Sequence, residues 1–226
     1  MTELSLDLGD LGAVSALLQC PADAWLLYIL AHGAGAGMRH RFMETIAAAL
    51  SDRGIATLRY QFPYMEAGSR RPDSPAVAEA SVRAAARHGA KLEPELPMIA
   101  GGKSFGGRMT SGAAAKSLPD VRGLAFLGFP LHPPGRPGIS RADHLNNIEI
   151  PMLFLQGTRD QFAGRDHITE VCGRLAPRAT LHLVNDADHS FAVPKRAGRP
   201  ASSVIDELAD TLADWARSDI LASDRP

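Results

Sequence analysis

Cysteine is nearly absent: Cys20 and Cys172 are the only two in a chain of 226 residues. Two thiols without metal-ligand spacing exclude a disulfide scaffold and a thiolate metal site, and both are expected to stay reduced. Long apolar runs are lacking as well. The longest, Ala24 to Ala31, is far shorter than the roughly 20 residues a bilayer-spanning helix needs. No excess of one charge exists, since 24 Lys and Arg stand against 25 Asp and Glu for a formal net charge of −1. With no block of basic residues, neither nucleic acid nor a membrane is an expected partner, and small molecules are. Met1 to Gly12 carries Glu3, Asp7 and Asp10 and no basic cluster, unlike a secretory or transit segment, so a cytoplasmic address is expected. No residue pattern calls for a cofactor or a metal, and none specifies an oligomeric state.

What is present is an alternation. Apolar, β-branched-rich runs recur at Ala24 to Ala31, Ile55 to Phe62, Leu96 to Ala100, Val121 to Phe129, Pro151 to Gln156 and Thr180 to Val184. Each reads as a buried strand. Segments of helical period lie between most of them: Met38 to Ser51, Pro75 to His88, Gly107 to Leu118, Asp166 to Leu175, and finally Ser202 to Arg217. This order predicts an α/β fold with a mostly parallel sheet of seven or eight strands and helices on both faces, because parallel strands need a crossover that covers the sheet. Residues 13 to 19 are read as an antiparallel edge strand. The length suits one domain spanning residues 1–226. The 21 glycines and 16 prolines concentrate where strands end, as punctuation. The proline-rich stretch Pro130 to Pro151 reads as an irregular excursion, too short for a large cap domain.

In open α/β sheets ligands bind beyond the carboxyl ends of the strands, and three such ends carry reactive side chains. Gly102-Lys103-Ser104-Phe105-Gly106 is a G-x-S-x-G between a strand and a helix, where glycines two positions either side of the serine let the two backbones approach. Composition allows roughly 0.1 chance matches to this pattern in such a chain. The competing reading makes Ser104 a helix N-cap. An acid, Asp160, follows the strand ending at Gln156, and His189 lies in the loop after Val184. Serine, acid, histidine is the chain order of an α/β-hydrolase triad. Asp186 and Asp188 are rival acids, ranked lower because neighbours in one short loop rarely face each other's side chains.

The fourth element is His32-Gly33-Ala34-Gly35-Ala36-Gly37. Acyl transfer places negative charge on a carbonyl oxygen, and backbone N–H groups aimed at it lower the barrier. Ala34, with Gly35 next, and Phe105 after the nucleophile are the expected donors of this oxyanion hole. A dinucleotide-binding loop is excluded, since Met38 and His40 stand where glycine or alanine is required. A nucleotide-phosphate loop ahead of Lys103 is excluded by Pro97.

At these residues the chain resembles the α/β-hydrolase superfamily. His32 to Met43, Arg59 to Asp73, Gly101 to Met109 and Gln156 to Phe162 are similar to a dienelactone-hydrolase-like branch, the small family that includes a testis-expressed protein and an NSL chromatin complex subunit. The resemblance runs roughly from Leu17 to Trp215. It implies a nucleophile at Ser104, an acid at Asp160 and a base at His189. Dienelactone hydrolases proper use cysteine where Ser104 stands, so the resemblance does not carry their lactone activity.

The expectation is a serine hydrolase acting on small carboxylic esters or related acyl compounds. Its rival is a non-catalytic interaction module on the same fold. An open mouth is expected, bounded by Met65, Leu131, Phe162 and Phe191. Cationic residues gather near it in sequence: Arg39, His40, Arg41, Arg70, Arg71, Lys103 and Arg108. Guanidinium forks match carboxylates and phosphates, so Arg70 or Arg71 is expected to hold an anionic substrate group, with His32, Lys103 and Phe162 as further substrate contacts. His132 also follows a strand end and is more often incidental there.

Overall fold

In the computed structural model, which describes residues 1–133 and 135–222, the apolar runs form the parallel part of an eight-stranded sheet. Pro134, inside the proline-rich excursion, and residues 223–226 lie outside the described residues. The strands are β1 (Thr2–Asp7), β2 (Ala13–Gln19), β3 (Leu26–Ala31), β4 (Ile55–Tyr60), β5 (Met98–Lys103), β6 (Val121–Leu127), β7 (Met152–Gly157) and β8 (Ala179–Val184). Their order is β1-β2-β4-β3-β5-β6-β7-β8. The β1–β2 and β2–β4 pairs are antiparallel and the others parallel.

Among the described residues six α-helices flank the sheet: α1 (Arg41–Ser51), α2 (Pro63–Glu66), α3 (Pro75–Leu92), α4 (Phe105–Ala114), α5 (Arg165–Leu175) and α6 (Ala201–Trp215). Side chains alternate across a strand, so β3 sends Tyr28 and Leu30 to one face and Leu27 and Ile29 to the other. Tyr28 and Leu30 pack with Met43 and Ile46 of α1 and Leu208 and Leu212 of α6. Leu27 and Ile29 share the opposite core with Val82 of α3, Met109 of α4 and Ile168 of α5. Both faces are dry. That is why the parallel strands read as unbroken apolar runs rather than alternating ones.

Two expectations are corrected here. Residues 13 to 19 are antiparallel, but β1 lies outside them, so β2 is not the edge. β1 has only Leu4 and Leu6 turned toward the core, between Glu3, Ser5 and Asp7; a one-sided strand of six residues leaves no apolar run to find. The excursion after β6 also contains a 3-10 helix, Ser140–Asn147, which seats Ala142 and Leu145 in the core.

Candidate active site

β5 ends at Lys103 and α4 begins at Phe105, leaving Ser104 as the whole turn. Ser104 holds φ 49° and ψ −109°, a conformation that a side-chain-bearing residue adopts only when its surroundings over-determine it. The surroundings are close. A Cβ on Gly102 (φ 144°) would lie 2.1 Å from the Ala31 carbonyl oxygen, and one on Gly106 would lie 2.6 Å from the same atom. Both glycines are therefore required by the end of β3 lying against the turn. The Ser104 N–H donates to the Leu127 carbonyl at 3.1 Å, and its own carbonyl accepts from Arg108 N–H at 3.0 Å. Its side chain does not cap α4, which overturns the N-cap alternative.

The Ser104 hydroxyl instead faces His189, whose Nε2 is 2.9 Å from Oγ. His189 Nδ1 is 2.7 Å from Asp160 Oδ2. A carboxylate only accepts, so Nδ1 carries the proton and Nε2 presents its lone pair to the serine hydroxyl. Asp160 is fully shielded from solvent and its oxygens are occupied. Oδ1 accepts the Phe162 N–H at 2.8 Å, and Oδ2 also accepts from Gln156 Nε2 at 2.6 Å. Gln156 is fixed in turn, since its Oε1 accepts the Phe129 N–H at 2.9 Å. The rival acids serve the loop instead: Asp188 Oδ1 accepts from the N–H groups of Ser190 and Ala192, and Asp186 turns the chain at φ 60°.

The glycine-rich loop after β3 lies over the serine, with the Cβ direction of Gly33 reaching within 3.9 Å of Ser104 Cβ. Gly35 N–H is consumed by the Tyr64 hydroxyl at 2.9 Å. Among the described residues neither Ala34 N–H nor Phe105 N–H has a hydrogen-bond partner. The Phe105 ring points away, packing edge-on against Phe62 at 5.3 Å.

Several expected substrate contacts fall elsewhere. His32 is completely buried: Nδ1–H donates to the Gly33 carbonyl at 2.8 Å, and Nε2 accepts the Phe62 N–H at 3.1 Å. Burial holds it neutral, with a pKa lowered to about 4. Both ring nitrogens are thus engaged within the protein, and the ring is absent from the wall of the cavity that contains Ser104. Arg70 and Arg71 are exposed in the loop after α2 and are absent from the wall of the cavity containing Ser104. That cavity, about 350 Å³, is lined by Gly33, Ala34, Ala36, His40, Phe42, Met43, Lys103, Ser104, Phe162, His189 and Ser190. Lys103 and Phe162 are part of that wall. Met65 does not. Leu131 and Phe191 are buried in the two cores, with Phe191 stacked on Phe42 at 5.7 Å. His132 is likewise buried, bonded through Nδ1 to the Pro133 carbonyl. Arg39 pairs with Glu3 rather than with substrate.

Two positions escaped sequence reasoning. Gln156 looked like the last residue of a buried strand, although most polar side chains at 0% exposure have a hydrogen-bond partner. Phe42 lay inside a predicted helix. A larger cavity of about 580 Å³ lies by Glu93, Glu95, Asp120 and Arg122, with no serine, threonine, cysteine or histidine among its described lining residues. Among the described residues no cluster of three or more metal-ligating side chains occurs, and no helix is long and apolar enough to cross a membrane.

A family model described as an alpha/beta hydrolase domain matches residues 24–217. Among solved structures, a lid-less α/β serine hydrolase from Xanthomonas campestris is 22% identical with a TM-score of 0.74, covering 95% of this chain and 94% of that one. A dienelactone hydrolase from Anabaena variabilis is 18% identical with a TM-score of 0.76, covering 96% and 97%. The esterase domain of a Rhodothermus marinus protein is 19% identical with a TM-score of 0.72, covering 96% and 98%. At these identities the likeness is one of fold.

Proposed function

The chain belongs to the α/β-hydrolase domain family, and from that premise we propose that it is a serine hydrolase of short, uncharged carboxylic esters or related acyl compounds. The observation that carries this reading is the unbroken contact from Ser104 Oγ to His189 Nε2 at 2.9 Å and from His189 Nδ1 to Asp160 Oδ2 at 2.7 Å. His189 takes the serine proton as Oγ attacks the acyl carbon, and Asp160 holds the ring in the tautomer that makes this possible. The developing oxyanion is held by the N–H groups of Ala34 and Phe105, each worth about 3 kcal/mol of barrier. His189 then returns the proton to the leaving alcohol. Water, activated by the same imidazole, releases the acid and restores Ser104.

Cavity chemistry supports the substrate class. Phe42, Met43 and Phe162 give it apolar walls, and about 350 Å³ suits a short acyl group. Its one lysine, Lys103, is already bonded to the His189 carbonyl within the protein, and neither Arg70 nor Arg71 lines the wall. The free thiols Cys20 and Cys172 suit the reducing cytoplasm as its setting. An interaction module has no need of a strained serine aligned with a buried acid and histidine.

A fluorophosphonate probe tests the reading. Covalent labelling at Ser104, lost in Ser104→Ala, is expected, together with hydrolysis of short neutral aryl esters. Absence of labelling in the folded wild type overturns it.

A further inference from the structure

Lys103, next to the nucleophile in sequence, reaches past it to the loop that carries the base. Its ammonium donates to the main-chain carbonyl of His189 at 2.6 Å. The space it occupies is preserved by a glycine: a Cβ on Gly128 (φ 71°) would meet Lys103 Nζ at 3.0 Å, and Asp160 Oδ2 and His189 Nδ1 at 3.5 Å each. The ammonium, Asp160 Oδ2 and His189 Nδ1 therefore crowd around the same glycine. Phe42 and Phe191 flank it, with ring centroids 5.9 and 5.4 Å from Nζ, so aromatic faces partly replace its lost hydration.

Resting on the serine-hydrolase reading, we propose that Lys103 is a positioning residue. It ties the His189 loop to the nucleophile turn and so keeps the imidazole within reach of Ser104. The physical need is visible in how the two ends are built. Ser104 is fixed by backbone packing against Ala31, whereas His189 lies in an irregular stretch between β8 and the short 3-10 helix Lys195–Ala197. A charged donor on a carbonyl is about twice as strong as a neutral one, and here it joins the two loops that must not drift apart.

The tie is expected to depend on pH. Charged and titratable groups facing the ammonium are Asp160, Asp188 and His189. Burial outweighs the two carboxylates and lowers the Lys103 pKa to about 8. The charged donor is present below that value and is replaced by a weaker neutral amine above it.

Lys103→Met keeps the stem length and removes the donor, and Lys103→Arg keeps charge and donor. Lys103→Met is expected to lower kcat by roughly tenfold with KM nearly unchanged, while Lys103→Arg recovers part of the loss. The wild-type kcat is expected to decline as pH rises through about 8, and the Lys103→Met profile to be flat there. A second readout needs no turnover: the downfield proton NMR signal of His189 Nδ1–H should shift or broaden in folded Lys103→Met and be retained in Lys103→Arg. If that signal, kcat and the alkaline profile are all unchanged in Lys103→Met, the inference fails while the hydrolase reading stands. If the wild type neither labels nor hydrolyses esters, that reading fails, and the NMR comparison still decides the tie.

Discussion

The turn that carries Ser104 and the loop that carries His189 solve the same positioning problem by opposite means. At the turn the backbone does it: two glycines lie against the Ala31 carbonyl, and the strand and helix on either side leave Ser104 one place to be. At the loop side chains do it, through Asp160 on Nδ1, Asp188 on two N–H groups, and Lys103 on the His189 carbonyl. A position set by main-chain sterics fails abruptly and does not titrate. One held by polar side chains weakens by degrees and responds to pH.

The largest effect tests whether the two meet in chemistry. Ser104→Ala and His189→Ala are each expected to lower kcat by roughly 10³-fold or more, with Asp160→Ala milder; wild-type turnover in these variants breaks the comparison at its root. Gly102→Ala is next. Its added carbon would stand 2.1 Å from a main-chain oxygen, so a loss of about 3 kcal/mol or more is expected in urea unfolding. An unshifted midpoint would mean that the turn is not sterically fixed.

The glycine-rich loop after β3 falls between the two types, because the His32 side chain bonds its backbone at Gly33. The ring's pKa is lowered from 6.5 to about 4 by burial. Its contribution is complete above pH 6.5, where folded and unfolded chains both hold it neutral. As pH falls toward 4 the unfolded chain takes up the proton first and stability drops, by up to about 3 kcal/mol. Urea midpoints between pH 7 and 4 should therefore slope less in His32→Gln than in wild type. At the histidine loop, Asp188→Ala removes two bonds to N–H groups, and a fall in kcat of about tenfold with about 1 kcal/mol of stability is expected. The smallest effect concerns the wall: Phe42→Ala should move the preferred acyl chain one or two carbons longer, by a few-fold in kcat/KM.

This contrast also explains what could be read from the chain. Glycine spacing around Ser104 is a local steric code, so the turn, the chain order of Ser104, Asp160 and His189, and the six parallel strands were legible. Gln156 and the reach of Lys103 were not, because Gln156 is fixed from Phe129 and Lys103 bonds the His189 carbonyl, both distant in sequence, and their residue types suggested other jobs. Arg70 and Arg71 followed a strand end as Asp160 does, yet α2 carries the chain into an exposed loop; proximity along the chain stopped being proximity in space. β1 was missed because a sheet margin with two inward leucines has no run to detect.

Among the described residues between Leu127 and Met152, the short 3-10 turn Ser140–Asn147 is the one helical element before the chain re-enters the sheet. A catalyst built this way has no door to swing, so reactants enter and products leave by diffusion through a fixed aperture. Its turnover should then show no lag on first exposure to an oil–water boundary, and discrimination between substrates falls to the fit of the acyl group rather than to any gating step.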